Sequence, residues 1–510
     1  LTNFNKNFGE DWGLAANVGA SLSDQKNDIL YNQGPLRDDG LPNIFNIQNI
    51  EQSAHKSQFY QEGWHEQTQS IFGSVEVNWK RLLYLTVTGR NDWASQLAGS
   101  KNKSFFYPSV GLTGIITDML SESVKNSLYN TLSFAKVRLA FAQVASPFKR
   151  ELTIPMNTFN QADKKWVKEG YYPLKDLKPE RTNSFEVGLT TKWLKNKLNF
   201  DITYYRTNTK NQTIRATMSA SSGYNYTYVQ TGNVQNQGVE IALGGTVEIG
   251  KNFTWNTGFT YGYNKNEIKE LVKNVRNPQN PAEPLFKEDE LLKDNFGNAQ
   301  IILRPGGTLG DIYAKTDFVR DANGNIDISQ DLKPRDKYMK LGSILPDANL
   351  GWRNDFSYKQ LSFGFMLSAR LGGIVISGTQ AAMDYSGVSK VTADARNAGG
   401  VPVGGGIVVP AQKYYQLQGR PKDYLTQYYT YNATNLRLRE AYIAFNIPRK
   451  WLGNVVDLNI SLTGKNLWMI YNKAPFDPET IASTGNYAQG IDYFMLPSTR
   501  SFGFSIKARF

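Results

Sequence analysis

Cysteine is absent from this chain, histidine occurs only at His55 and His65, and no run of about 20 apolar residues exists. Each absence excludes something. Without cysteine there is no disulfide framework and no thiolate nucleophile, a composition compatible with an oxidising envelope compartment. Two histidines without cysteine make a transition-metal catalytic centre an unfavourable reading. Without a long apolar run there is no spanning helix; the charge-free run Leu371–Met383 is rich in Gly, Ser and Thr. Only helices and closed barrels satisfy every backbone group in lipid, so the chain is either soluble or a membrane barrel. Motifs for phosphate, dinucleotide and acyl-transfer chemistry (P-loop, Gly-x-Gly-x-x-Gly before a helix, Gly-x-Ser-x-Gly) are missing as well.

Aromatic residues, by contrast, are plentiful: 28 Tyr, 27 Phe and 10 Trp in 510 residues, with 44 Gly and a mean hydropathy of −0.46. That length suggests roughly three or four soluble domains or one large barrel. The formal net charge is +12, but Lys and Arg are scattered rather than blocked, which indicates a mildly basic surface and not a nucleic-acid partner.

The repeating signal is apolar–polar alternation over about ten residues. Phe502, Phe504, Ile506, Ala508 and Phe510 share one face of the last segment, while Lys507 and Arg509 lie on the other. Similar stripes occur at Leu83–Val87, Ala135–Phe141, Phe185–Leu189, Leu198–Tyr204, Phe253–Tyr261, Leu361–Leu367 and Leu458–Leu462. Asn435–Asn446 fits worst, because its phase slips between Leu438 and Ala441, as a bulge would require. Trp79, Trp193, Tyr204, Tyr205, Tyr261 and Tyr263 are expected near strand ends, as an interfacial girdle. Short turns at 194–197, 248–252 and 358–361 alternate with long irregular segments near 145–180, 266–349, 371–430 and 468–497. Short turns on one side and long loops on the other is the layout of an outer-membrane barrel, with roughly 14–16 strands expected here. The fold class is therefore all-β, a transmembrane antiparallel β-barrel with long extracellular loops and short periplasmic turns.

Individual motifs carry little chemistry. Asp321–Asp327 spaces oxygen ligands as a calcium loop does, but Gly324 and Leu332 break the EF-hand pattern and an Asn-Gly hairpin turn explains it better. Gly399–Gly406 reads as a flexible loop. The carboxylate groups Asp38–Asp39 and Glu288–Glu290 sit in charged loops and read as solvated; no catalytic, metal or cofactor site is expected. In the long loops Trp166, Tyr171, Tyr172, Tyr414 and Tyr415 are candidates to stack on a ligand, with loop packing as the alternative. Polar-face positions Lys136, Arg138, Asn199, Asp201, Lys507 and Arg509 are candidates to line a lumen.

A set of stretches in fixed order adds a resemblance. They are Gly89-Arg-Asn-Asp-Trp93, Phe106-Tyr-Pro-Ser-Val-Gly111, Pro179-Glu180 with Ser184-Phe-Glu-Val-Gly188, Gly232-Asn-Val-Gln-Asn-Gln-Gly-Val-Glu240, Gly464-Lys-Asn-Leu467, Pro475-Phe-Asp-Pro-Glu479 and Pro497-Ser-Thr-Arg500. With them the chain resembles the SusC-type (SusC/RagA) TonB-dependent transporters of Bacteroidetes outer membranes. The resemblance implies a 22-stranded barrel in the complete protein, an N-terminal plug and a TonB box. It implies a SusD-like lipoprotein lid, the TonB-ExbB-ExbD complex acting through the plug, and a dimer of transporter–lipoprotein pairs. It further implies an oligosaccharide or peptide ligand, membrane lipid around the wall, and Phe510 as a C-terminal assembly signal. Residues 1–510 are then expected to be the C-terminal part of the barrel, with plug, TonB box and N-terminal extension outside this chain. Two rivals remain: a passive porin-like outer-membrane channel, and an extracellular all-β glycan-binding protein.

Overall fold

The computed structural model describes residues 1–53, 57–154, 157–160, 165–167, 170–174, 177–218, 223–272, 275, 291–296, 299–483 and 490–510. Among them, fifteen strands hydrogen-bond into one sheet in which every strand neighbours the next sheet strand along the chain. They are β1 (Thr2–Phe8), β2 (Trp12–Gln33), β3 (Gln58–Trp79), β4 (Leu83–Ala94), β5 (Phe105–Ile115), β6 (Leu132–Ser146), β7 (Glu180–Trp193) and β8 (Leu198–Lys210). There follow β9 (Asn233–Ile249), β10 (Phe253–Glu270), β11 (Ala348–Tyr358), β12 (Leu361–Leu371), β13 (Asn435–Ile447), β14 (Asp457–Asn472) and β15 (Ser501–Arg509). The number falls inside the expected 14–16. No helix among the described residues is long and apolar enough to cross a membrane.

The chain divides into two compact units, Leu1–Leu112 with Ala140–Ser184 and Thr209–Asn233, and Thr113–Leu139 with Phe185–Asn208 and Val234–Phe510. In the first, β1 to β4 form an antiparallel meander. The β2–β3 ladder runs from Trp12↔Trp79 to Gln33↔Gln58, 22 residues a strand. At about 3.4 Å per residue this far exceeds the 9–11 residues or so that a crossing needs. In the second, β10 to β15 form an antiparallel meander of the same kind.

The alternation becomes geometry in this register. Trp255, Phe356, Phe363, Ile443, Leu462 and Phe504 stand directly opposite one another across β10 to β15. Directly paired residues project from the same face, so one apolar row crosses six strands. Among the described residues no second sheet covers it: Phe363 is 43% exposed, Ile443 46%, Leu462 58% and Phe504 75%. Phe4, Ala16, Val75 and Val87 form the corresponding row across β1 to β4, and Phe4, Val75 and Val87 are exposed. Buried apolar clusters lie instead among the long connections. One gathers Leu97, Phe105, Phe148, Leu152 and Leu177, another Phe318, Val403, Tyr414, Tyr415 and Leu425. An inside-out distribution of this kind is stable only if the exposed belt meets hydrocarbon.

The short turns lie where expected. Leu194, Lys195 and Asn196 all take positive φ, and Gly250 does so between β9 and β10. The phase slip also has a cause: Met366 pairs with Glu440 and Leu367 with Leu438, which leaves Arg439 as the extra residue of a bulge.

Two expectations need correction. The long connections are not irregular. They carry their own sheets, such as the four-stranded one over Leu291–Phe296, Ala299–Leu303, Asp311–Asp317 and Lys333–Ser343, and short helices α2 (Gly378–Tyr385), α3 (Lys390–Asn397) and α4 (Ala411–Gln418), while another short helix, α1 (Glu122–Leu128), lies between β5 and β6. Within Gly399–Gly406, Val401–Gly404 pairs with Ile407–Val409 as a hairpin. Trp79 and Trp193 do end strands, but Tyr204, Tyr205, Tyr261 and Tyr263 lie inside β8 and β10, which run on past them.

Candidate functional site

The polar face of the sheet is tied together by side chains that reach across strands. In the first unit the Asn17 amide donates to Ser74 Oγ at 2.6 Å, and Thr88 and Ser109 hydroxyls bond at 2.6 Å. Arg90, of the Gly89–Trp93 stretch, donates through Nε to Asp92 Oδ1 at 2.7 Å and through a terminal nitrogen to Ser70 Oγ at 2.9 Å. The Tyr107 hydroxyl donates to the other Asp92 oxygen at 2.9 Å. A strand's two-residue period puts Arg90 and Asp92 on one face, so the motif's spacing itself makes the pair.

In the second unit two such networks each depend on a glycine. Arg138 on β6 reaches over the middle strand β7 to Asp201 on β8, donating to both carboxylate oxygens at 3.1 and 3.2 Å, to Thr190 at 2.8 Å and to Thr203 at 3.2 Å. A Cβ on Gly188 would lie 2.7 Å from that guanidinium, so glycine keeps the path open. Likewise Tyr442 on β13 donates to Asp355 Oδ1 on β11 at 2.8 Å. Its path crosses Gly364 on β12, where a Cβ would lie 2.7 Å from that same oxygen. Arg353 holds the other Asp355 oxygen at 2.8 Å.

The densest cluster gathers at the bulge. Arg437 is 5% exposed at its side chain and donates to Asp477 through both terminal nitrogens, at 2.6 and 3.1 Å. Arg439, displaced by the bulge, bonds Ser368 at 2.7 Å and pairs with Glu479. Ser498 donates to Asp477 at 2.6 Å, and the Asn466 amide to the Thr499 carbonyl at 3.2 Å. The stretches Gly464–Leu467, Pro475–Glu479 and Pro497–Arg500 thus meet at one place and pin the last long loop to β13 and β14. Burial pushes the Asp477 carboxyl up, and its hydrogen bonds from Arg437, Ser498 and the Glu479 amide outweigh that and hold it below the usual carboxylate range. The repeat Arg437-x-Arg439 against Asp477-x-Glu479 was the available sequence signal for this cluster; alternation alone missed it.

The expected site residues fall as follows. Arg138 and Asp201 are brought together, and Lys136 lies half-buried two residues from Arg138 on the same strand face. Asn199, Lys507 and Arg509 are exposed; Lys507 pairs with Asn459 and Arg509 with Asp457 in the ladder. Phe510 is exposed immediately after β15. Trp166 is 70% exposed, resting edge-on against Phe159. Tyr172 is half-buried, edge-on to Tyr224. Tyr171, Tyr414 and Tyr415 are buried, which departs from a ligand-facing role. Tyr171 packs on Tyr226 and Tyr228 and donates to the Glu151 carbonyl at 2.8 Å; Tyr414 packs on Phe318 and Tyr415. Burial pushes the Tyr414 and Tyr415 phenols up.

Asp321–Asp327 is a turn: Asp321 accepts from the Asn323 and Asn325 amides at 2.9 Å, and Gly324 has φ +83°. Asp38 and Asp39 are exposed, Asp39 paired with Arg37 at 2.8 Å; His55 and Glu288–Glu290 lie outside the described residues. Among the described residues no three His, Cys, Asp or Glu side chains are grouped to hold a metal ion.

Comparison with known proteins places this architecture. The family profile described as TonB dependent receptor-like, beta-barrel matches residues 1–467. TonB-dependent receptor P26 of Formosa agariphila is 23% identical over 547 residues, covering 99% of this chain and 52% of its own length. TonB-dependent receptor P3 of the same organism is 23% identical over 475 residues, 86% of this chain and 45% of its own length. TonB-dependent receptor SusC of Bacteroides thetaiotaomicron is 22% identical over 358 residues, 66% of this chain and 32% of its length. Among solved structures, the RagAB peptide transporter superposes with a TM-score of 0.75 at 17% identity, over 99% of this chain and 54% of that one. The chain spans about half the length of the curated relatives it matches first.

Proposed function

The chain belongs to the TonB dependent receptor-like β-barrel family, and from that premise we propose that it is the C-terminal barrel portion of an active importer of a bulky nutrient across the bacterial outer membrane. The observation that carries the proposal is the two-faced sheet: an exposed apolar belt on one face, and on the other a hydrogen-bonded surface of Arg, Asp, Thr, Asn and Tyr. The belt is the lipid contact. The polar face lines the lumen, with Lys136, Arg138, Asn199, Asp201, Lys507 and Arg509 among its residues.

In this reading a plug outside this chain fills the lumen and takes the pull of TonB-ExbB-ExbD. A SusD-like lipoprotein closes over the long loops, and two transporter–lipoprotein pairs associate. The wall's cross-strand bridges keep it rigid while the plug moves, because each carries a charge-assisted or hydroxyl bond that fixes neighbouring strands. The cargo is an oligosaccharide, with a peptide as the alternative. The likeness to the RagAB peptide transporter shows the fold and does not choose between them. Trp166, with most of its ring exposed, is the loop aromatic best placed to stack on a sugar face.

Uptake of fluorescent oligosaccharides and peptides by cells producing the complete receptor tests this. Uptake should vanish when TonB is deleted and when the lipoprotein is removed. Uptake that persists without TonB points to a passive pore and overturns the proposal.

A further inference from the structure

On β8 to β10 the apolar face carries charge towards the end away from the short turns. Asp201 and Thr203 lie on the polar face with Arg138, and the two-residue period puts Tyr205 and Thr207 there too. Their bonds agree with this. Tyr205 donates to Asn264 Oδ1 at 3.0 Å, Thr207 to the Asn236 carbonyl, and the Asn264 and Asn266 amides to Asn236 Oδ1 at 3.1 and 3.0 Å. The alternate residues therefore project from the apolar face: Tyr204 and Arg206 on β8, Gln235 and Gln237 on β9, Tyr263 and Lys265 on β10.

Depth follows from counting. Leu198 and Phe253 open β8 and β10 directly after short turns, and a strand crosses the hydrocarbon in about 9–11 residues. Arg206 is the ninth residue of β8 and Lys265 the thirteenth of β10, so both stand at or beyond the far boundary. Each lies two residues past an exposed tyrosine, Tyr204 or Tyr263, a residue type that settles at headgroup depth.

Donors outnumber acceptors here. Arg206 donates to Gln235 Oε1 at 3.0 Å, and the Gln235 amide donates to Gln237 Oε1 at 2.8 Å. Gln235 is 3% exposed, so this relay is fixed in place. It occupies both amide oxygens and leaves the Gln237 amide nitrogen as a donor. Among the described residues Arg206 has no carboxylate partner. Lys265 lies 3.3 Å from Glu267, but Lys269 holds the same carboxylate, so the two lysines together keep one positive charge. β9 separates β8 from β10, which puts Arg206 and Lys265 on strands about 10 Å apart with Gln237 between them.

We infer that Arg206, Gln237 and Lys265 bind the phosphate headgroup of an anionic lipid in the leaflet next to the long loops. The inference rests on the reading of this sheet as a membrane-spanning wall. Cations just past an aromatic row, on the face that meets lipid, stand where headgroup phosphates lie, and each adds attraction to an anionic surface. A set made only of donors accepts a phosphate and gives nothing to a headgroup without one.

The test is native mass spectrometry of the complete receptor in detergent, titrated with diphosphoryl lipid A and, separately, with the same lipid after removal of both phosphates. The acyl chains are identical, so only the headgroup differs. The wild type should bind the diphosphoryl form roughly thirtyfold more tightly, the scale of two cations at a membrane surface. Arg206→Gln/Lys265→Gln should lose this preference and leave binding of the phosphate-free lipid unchanged. Lys195→Gln/Lys251→Gln removes the same charge at the short turns and should keep it. Equal binding of the two lipids by the wild type overturns the inference, as does a preference that survives in Arg206→Gln/Lys265→Gln. An equal loss in the short-turn variant assigns the effect to net charge and overturns the site. TonB-dependent uptake is a separate readout, so failure here is distinguishable from failure of the import proposal.

Discussion

Removing the Asp477 carboxylate should destabilise the folded barrel by about 3 kcal/mol. Arg437 is 5% exposed and Asp477 12%, with two hydrogen bonds between them at 2.6 and 3.1 Å. Deleting one partner of such a pair leaves an uncompensated buried charge, at a cost of roughly 3–5 kcal/mol. The lower end applies because Glu479 Oε1 stays 3.5 Å from Arg437 and takes up part of the charge. The measurement is equilibrium urea unfolding of Asp477→Ala and wild type in the same detergent, followed by tryptophan fluorescence. Arg437→Met/Asp477→Leu serves as the control, since apolar replacement of both partners should recover most of the loss. A cost below about 1 kcal/mol, the level of an exposed pair, refutes the reasoning. The pH dependence has a definite sign. The folded carboxyl titrates below its unfolded value, so its contribution is complete above the unfolded pKa near 4 and disappears as pH falls through the lower folded value. The difference between wild type and Asp477→Ala should therefore be constant from pH 5 upward and shrink below pH 4.

Arg138→Ala should cost only about 1 kcal/mol, because the pair with Asp201 is about a third exposed and solvent screens it. Gly188→Val should cost a similar amount, and the double variant should be non-additive if glycine acts by admitting the guanidinium; urea unfolding of the cycle measures this. Leu462→Arg, on the exposed apolar row, should lose about 2–4 kcal/mol and lower the amount of folded receptor in the outer membrane, while Thr463→Arg on the opposite face should assemble normally. Phe494 is 61% exposed and held at φ +52°, so Phe494→Gly should raise stability by about 0.5–1 kcal/mol, whereas Phe494→Ala, still strained, should not.

Strands β4, β6, β7, β8, β10, β12, β14 and β15 were legible in the chain because a repeated two-residue period is hard to produce otherwise, whereas β2, β3, β5, β9 and β11, also of nine or more residues, were not singled out by alternation. The last strand, with Phe502, Phe504 and Ile506 against Gly503, Ser505 and Lys507, is the clearest case. Even the bulge announced itself as a slip between Leu438 and Ala441. The long connections were not legible, since Tyr171–Tyr172 or Ile374–Ser377 offer two to four residues, too few to show any period. Helices α2 to α4 span eight residues each, barely two turns, and their apolar positions merge with turn residues. For the candidate site, face was legible and partnership was not. Arg138 and Asp201 were both assigned to the polar face, but their meeting depends on ladder register and on Gly188, which alternation does not encode. Tyr414 and Tyr415 show the converse: exposed-looking aromatics in a loop are drawn into a core of their own once the loop folds.

The central claim is that the bulky stripe touches hydrocarbon and the facing polar stripe touches water. The chain has no cysteine, so single cysteines introduced at Ile443, Leu462 and Phe504, and at Tyr442, Thr463 and Ser505, can each carry one nitroxide without background. Collision rates with oxygen, which concentrates in lipid, and with a water-soluble nickel chelate should then be measured in the complete receptor in bilayers. The account predicts oxygen access and chelate exclusion at the first three positions, and the reverse at the other three. Chelate access at Ile443, Leu462 and Phe504 equal to that at Thr463 contradicts it.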